Sequence, residues 1–168
     1  MNIILRKEEG GDIDAIARLT EAAFLSEVHS SHTEQFIVNA LRRAGQLTVS
    51  IVALEGEAIV GHVAVSPVVI SSGASGWYGL GPISVSPQHQ QRGIGSQLMK
   101  AALAELQTLG AAGCVVLGDP AYYGRFGFKA DASLELPGIP AEYFQALSFG
   151  SPLPQGQVSY HAAFEAKE

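Results

Sequence analysis

Apolar positions along the chain change period several times, and each change marks an element. Asn2 to Arg6 read as a short strand, after which Gly10-Gly11-Asp12 supplies a turn and an N-cap. Ile13, Ile16, Ala17, Leu19, Ala23 and Phe24 then recur at helical spacing, and Phe36, Ile37, Ala40 and Leu41 repeat that period in a second helix. The second helix ends near Arg42-Arg43, basic residues suited to a helix C-terminus, with Gly45 as the stop. Leu47 to Leu54, the turn Glu55-Gly56-Glu57 and the apolar run Ala58 to Ile70 predict a β-hairpin, because β-branched residues dominate and the breaker is short.

After the flexible turn at Ser71 to Gly76, Trp77 to Val85 predicts another strand. Gly79, Gly81 and Pro82 are poor ladder residues, so a bulge or a local loss of pairing is expected in its middle. Ile94, Leu98, Ala101, Ala102, Leu103, Leu106 and Leu109 lie largely on one face of a helix that stops at Gly110, and Cys114 to Leu117 form a short apolar strand. This strand, helix, strand crossover makes the two strands parallel neighbours with the helix across one face. A brief helix over Tyr122 to Phe126 follows Pro120, Gly127-Phe128 turn into a further strand, and Gln157 to Phe164 alternate as the last one. Pro137 to Pro154 hold four prolines and a short helical patch around Ala141 to Leu147, expected to cover an edge or line a pocket.

Composition narrows this to one mixed α/β domain over residues 1–168, since 47% of residues are hydrophobic and 15% charged. A formal net charge of -6 and a pI of about 5.3 argue against broad affinity for nucleic acid or an anionic membrane. A cationic or amine-bearing partner is electrostatically easier, although acidity also serves solubility. No apolar run approaches the ~20 residues that cross a bilayer, and charges stand where a signal peptide has its apolar stretch, so the cytoplasm is the expectation. The lone Cys114, inside Cys-Val-Val-Leu, forms no internal disulfide and reads as a buried inert thiol.

The segment richest in chemistry runs from Ser84 to Ser96: a strand end, a polar turn, two spaced glycines and a helix start. Gly93 and Gly95 let a ligand approach the backbone, the first N–H groups of the helix point at it, and Arg92 adds positive charge. An ordinary tight turn would use the same glycines. A dinucleotide fingerprint needs a further glycine where Leu98 stands, and a nucleotide triphosphatase loop needs Gly-Lys-Ser or Gly-Lys-Thr, which the chain lacks.

Gln90-Gln91-Arg92-Gly93-Ile94-Gly95 resembles the signature of the GNAT N-acetyltransferases: Gln or Arg, any two residues, Gly, any one, Gly or Ala. Ile83 to Pro87 precede it, and Tyr123-Gly124-Arg125-Phe126-Gly127-Phe128 follow, similar to that family's tyrosine before a Gly-Phe pair. The resemblance spans the whole order of elements and is strongest to the YhbS-like bacterial branch. It implies a mostly antiparallel sheet flanked by helices, whose parallel fourth and fifth strands splay apart to admit the pantetheine arm of acetyl-CoA. On that basis Ile83, Val85, Gln90, Gln91, Arg92, Gly93, Ile94, Gly95, Ser96 and Tyr123 are expected at the cofactor.

Acetyl transfer from a thioester to an amine needs a neutral amine, a polarised carbonyl and a proton for the departing thiolate. The backbone N–H of Ile83 is the expected polarising donor, because Pro82 has none. Tyr123 is the expected general acid by resemblance; plain aromatic packing, or a one-residue slip that exchanges it with Tyr122, stays open. Asp119 stands where many relatives carry asparagine, a departure on the acceptor side. No motif marks a general base: Glu21, Glu27 and Glu34 lie in the region of the acceptor wall with His29 and His32 among them, and each alone reads as a surface group. Two histidines without a further spaced ligand cluster make no metal site, so no metal is expected. His62, in an apolar strand, reads as a hydrogen-bonded core or cleft histidine rather than a catalyst. The expected activity is acetyl transfer to a primary amine, of a small molecule before a lysine or protein N-terminus. A non-catalytic acyl-CoA sensor, transfer to oxygen, or a longer acyl donor stand as alternatives, and a homodimer is left open.

Overall fold

The computed structural model describes residues 2–28 and 30–168. Strand β1 (Ile3–Lys7) leads into helices α1 (Ile13–Phe24) and α2 (Glu34–Arg43), followed by strands β2 (Val49–Glu55), β3 (Ala58–Ile70) and β4 (Trp77–Val85). Helix α3 (Ile94–Thr108), strand β5 (Gly113–Leu117) and the short helix α4 (Pro120–Tyr123) come next. Strands β6 (Leu134–Glu135), β7 (Phe144–Ser148) and β8 (Gly156–Tyr160) complete the order. The main sheet runs β1-β2-β3-β4-β5-β7, with β8 paired to the far end of β3 and β6 to β8.

Period-two alternation decides which residues meet which helices. Ile51, Ala53, Val63, Val65, Leu80, Cys114 and Val116 pack with Ile94, Leu98, Met99, Ala102 and Leu106 of α3. The intervening Val52, Leu54 and Ala64 face the other way, against Ile16 of α1 and Val38 of α2. Burial on both sides explains why β2 and β3 read as continuous apolar runs.

The irregularity expected in β4 is present. Val63 pairs with Ile83 and Val65 with Leu80, so two residues of β4, Gly81 and Pro82, oppose the single Ala64 of β3, and the Gly81-Pro82 peptide is cis. Beyond that bulge the ladder is regular and its phase can be read. Ser86 N–H donates to Val60 O at 2.8 Å, so Ser86/Val60 and Ser84/His62 are hydrogen-bonded pairs while Val85/Gly61 and Ile83/Val63 are not. The backbone groups of Ile83 and Val85 therefore point away from β3, towards β5. There β5 does not meet them: the parallel β4–β5 ladder covers only Trp77, Tyr78 and Gly79 against Gly113, Cys114 and Val115.

Four expectations need correction. The helical patch over Ala141 to Leu147 is a single 3-10 turn, Ala141–Tyr143, after which β7 pairs antiparallel along all of β5. Phe144 and Ala146 bury into the core beside Val115 while Gln145 donates to Gly118 O at 3.0 Å, so tertiary pairing overrides local preference. The strand expected after Gly127-Phe128 shrinks to one bridge between Lys129 and Ala146, because β7 already covers β5. The last strand stops at Tyr160, and Ala162–Glu165 turn as a 3-10 helix that sets Ala163 and Phe164 against Ile37 and Leu41. Asp12 stands at the N-cap of α1, but its carboxylate reaches back to the Glu9 N–H at 2.7 Å and to Arg6 rather than capping that helix.

Candidate functional site

The turn between β4 and α3 is held at both ends. His89 Nε2 lies 3.2 Å from Glu55 Oε1 in the β2–β3 turn, and the Gln90 side-chain amide donates to Val85 O at 3.1 Å. Gly93 then takes φ +82 at the N-cap of α3, the left-handed region that glycine enters without a Cβ penalty. Gln91 also has positive φ, 65, which nothing in its residue type announces. No side chain caps α3, and the first helical bond runs from Gln97 N–H to Gly93 O at 3.1 Å. The amides of Ile94, Gly95 and Ser96 are therefore free of intrahelical partners and carry the positive end of the helix dipole.

These groups converge on a cavity of about 510 Å³ lined by Val85, Gln90, Gln91, Gly93, Ile94, Gly95 and Ser96, together with His89, Tyr122 and Arg125. A Cβ at Gly95 would stand 3.1 Å from the Tyr122 hydroxyl, so the second glycine keeps the cradle open. The Arg125 guanidinium lies 4.7 Å from the centroid of the Tyr122 ring, holding positive charge beside the cradle. Arg92 is exposed and does not line the cavity. The site fits a diphosphate joined to an amide-bearing arm: orphan amides at the helix start, then the outward-facing backbone of Val85 and Ile83.

The two tyrosines divide. Tyr122 faces the cradle, whereas Tyr123 packs edge-on against Phe128 and leans over Gly118, where a Cβ would come within 2.6 Å of its ring. Burial pushes the Tyr123 phenol up to about 12, with Tyr122 and Asp119 adding to the shift, so it stays a proton donor at neutral pH. Asp119 caps α4, accepting from Ala121 N–H at 2.9 Å. Cys114 is fully buried as a free thiol that burial keeps protonated.

Of the acceptor-wall candidates, Glu21, Glu27 and His32 are exposed, and Glu34 accepts from the Ser30 hydroxyl at 2.8 Å. His29 lies outside the described residues. Among those described, no group of three or more His, Cys, Asp or Glu is placed to hold a metal ion.

His62, itself fully buried, ends a part-buried polar row that the sequence leaves invisible. The Arg42 guanidinium donates to Glu8 at 2.8 Å, the Ser50 hydroxyl donates to Glu8 at 2.7 Å, and Ser50 Oγ meets His62 Nε2 at 2.8 Å. Since the single hydroxyl proton of Ser50 goes to the carboxylate, Nε2 must carry its own proton and donate, which assigns the tautomer. Burial alone would raise the Glu8 carboxyl, but the hydrogen bonds from Arg42 and Ser50 hold it below its ordinary value. Burial lowers His62 to about 4, keeping it neutral.

A family model described as an acetyltransferase (GNAT) domain matches residues 5–130, and the chain belongs to that family of acyltransferases. It is 37% identical over 115 residues to YhbS of Escherichia coli K12, an uncharacterized N-acetyltransferase, across 68% of this chain and 69% of that one. Among solved structures, a GNAT family acetyltransferase from Brucella melitensis in complex with acetyl-CoA matches with TM-score 0.88 and 49% identity, over 97% of this chain and 98% of that chain. YhbS from Escherichia coli in complex with CoA matches with TM-score 0.87 and 32% identity, over 98% and 93%.

Proposed function

We propose that this chain is an acetyl-CoA-dependent N-acetyltransferase that acetylates a primary amine of a small molecule by direct attack on the thioester. The observation that carries this is the open flank of β4: the backbone groups of Ile83 and Val85 face a widening gap whose mouth is the orphan amides of α3. The presence of acetyl-CoA in the Brucella relative and of CoA in YhbS supports the same ligand here.

In this reading the diphosphate accepts hydrogen bonds from the amides of Ile94, Gly95 and Ser96, with Arg125 nearby. The pantetheine amides pair with Val85 and Ile83 as a further strand would, and Gln90 gives up its bond to Val85 O when that happens. The Ile83 N–H polarises the thioester carbonyl, and a neutral amine attacks its carbon, forming C–N and breaking C–S. Tyr123 gives its phenolic proton to the departing sulfur and regains one from solvent, while the proton lost by the attacking nitrogen passes to solvent. At pH 7 an amine of pKa near 10.4 is neutral in about one molecule in a few thousand, so its deprotonation limits the rate at low pH. A net charge of -6 favours a cationic acceptor. The single free thiol agrees with a reducing cytoplasm, and no described helix is long and apolar enough to cross a membrane.

Incubation with isotope-labelled acetyl-CoA and a metabolite extract, followed by mass spectrometry, tests the reading and identifies the acceptor. Label in an amide product is expected. Tight CoA binding with no labelled product from the extract or from a panel of amines would instead favour an acyl-CoA sensor.

A further inference from the structure

The narrow end of the gap between β4 and β5 is built from rings laid on glycines. Of the three residue pairs that join these strands, two contain a glycine: Trp77 with Gly113, and Gly79 with Val115. A Cβ on Gly113 would collide with the Trp77 ring, and a Cβ on Gly79 would collide with Cε1 of Tyr160. Tyr160 arrives from a distant part of the chain, at the end of β8, where it pairs with Val68 of β3. Phe164 braces it from behind, with ring centroids 4.9 Å apart and planes tilted by 35°. Its phenol lies within electrostatic reach of both the Cys114 thiol on β5 and the Tyr123 phenol beyond it, at the point where the two walls converge.

The direction of a bound acyl-CoA follows from the proposed function. Phosphates at the start of α3 sit beside Val85, at the wide end. An arm running back along β4 passes Val85 and sets its thioester carbonyl at the Ile83 N–H, so the acyl chain extends from there towards Leu80 and Gly79. The acyl group is therefore delivered at the end floored by Tyr160. We propose that Tyr160 is the stop for the acyl chain and restricts the donor to short acyl groups, an inference that rests on reading this gap as the acyl-CoA channel. Each methylene that found apolar room would gain about fourfold in affinity, and a braced ring in its path withdraws that gain.

Calorimetric titration of the full chain with CoA, acetyl-CoA, butyryl-CoA and hexanoyl-CoA tests this with no need of an acceptor. The wild type is expected to bind hexanoyl-CoA about tenfold or more weakly than acetyl-CoA, the scale of an overfilled site. Tyr160→Ala is expected to erase or reverse that ratio with CoA itself unchanged, and Tyr160→Phe to preserve it. Should the alanine variant lose CoA as well, Tyr160→Leu, smaller yet still able to pack on Phe164 and Val68, is read in its place. Equal binding of hexanoyl-CoA and acetyl-CoA by the wild type, or a ratio unmoved by the smaller side chain, overturns the proposal and leaves the channel standing. No uptake of CoA by the wild type overturns the channel and this inference together.

Discussion

The two flanks of β4 are made by the same nine residues and serve opposite ends. On one flank, residues Tyr78 to Val85 pair with β3 around a single bulge; on the other, pairing with β5 stops after Gly79. The closed flank continues into a polar row, His62, Ser50, Glu8 and Arg42, joined to one another by hydrogen bonds. The open flank leaves backbone groups at Ile83 and Val85 that a strand would ordinarily satisfy. A half-buried N–H or C=O without a partner costs stability, so an unpaired edge beside a zipped one is the mark of a place kept for a ligand. In the proposed reading, stability is concentrated on the β3 side and chemistry on the β5 side.

That division can be broken from either side. Tyr123→Phe, on the open flank, is expected to lower kcat by about 10²- to 10⁴-fold while acetyl-CoA affinity stays within about twofold, because only the proton donor is lost. Calorimetry and initial rates on the same sample check this, and unchanged kcat would remove Tyr123 as the acid. With its phenol at about 12, Tyr123 gives wild-type kcat no alkaline limb up to pH 10.

On the closed flank the test is stability against pH. His62 is held neutral down to about 4, whereas in the unfolded chain it takes up a proton near 6.5. The unfolded state thus binds more protons between these values, so stability falls as pH drops from about 6.5 to 4, by on the order of 3 kcal/mol. Urea unfolding across that range should reveal the loss, and His62→Asn should flatten it with CoA affinity unmoved. A flat wild-type profile would mean that His62 is charged in the fold. The smallest effect is expected from Gly95→Ala: its Cβ would press on the Tyr122 hydroxyl and weaken CoA binding by about tenfold. Adding Tyr122→Phe should recover most of that loss, a double-mutant cycle in which additivity would separate the two residues.

What could be read from the chain depended on how local each signal was. The cradle was legible because its glycines, helix start and strand end lie within a few consecutive residues, and the β4 bulge because Gly81 and Pro82 are poor ladder residues by themselves. Strand β7 was missed because Pro137, Pro140, Pro152 and Pro154 surround it and only distant β5 makes it a strand. The row from Glu8 to His62 joins residues tens of positions apart, and no spacing rule connects them. The left-handed Gln91 and the ring of Tyr160 on Gly79 are likewise products of tertiary geometry. The resemblance put Tyr123 first and left an exchange with Tyr122 open; in the fold Tyr122 lines the cradle while Tyr123 leans over Gly118 and packs against Phe128.

Amide hydrogen exchange, resolved by residue, reaches the difference between the two flanks most directly. In the free protein the Ser84 amide, bonded across to β3, should exchange slowly while those of Ile83 and Val85 exchange fast; saturating acetyl-CoA should slow Ile83 and Val85 and leave Ser84 as it was. Equal protection of all three without ligand, or no change at Ile83 and Val85 with it, would contradict the account.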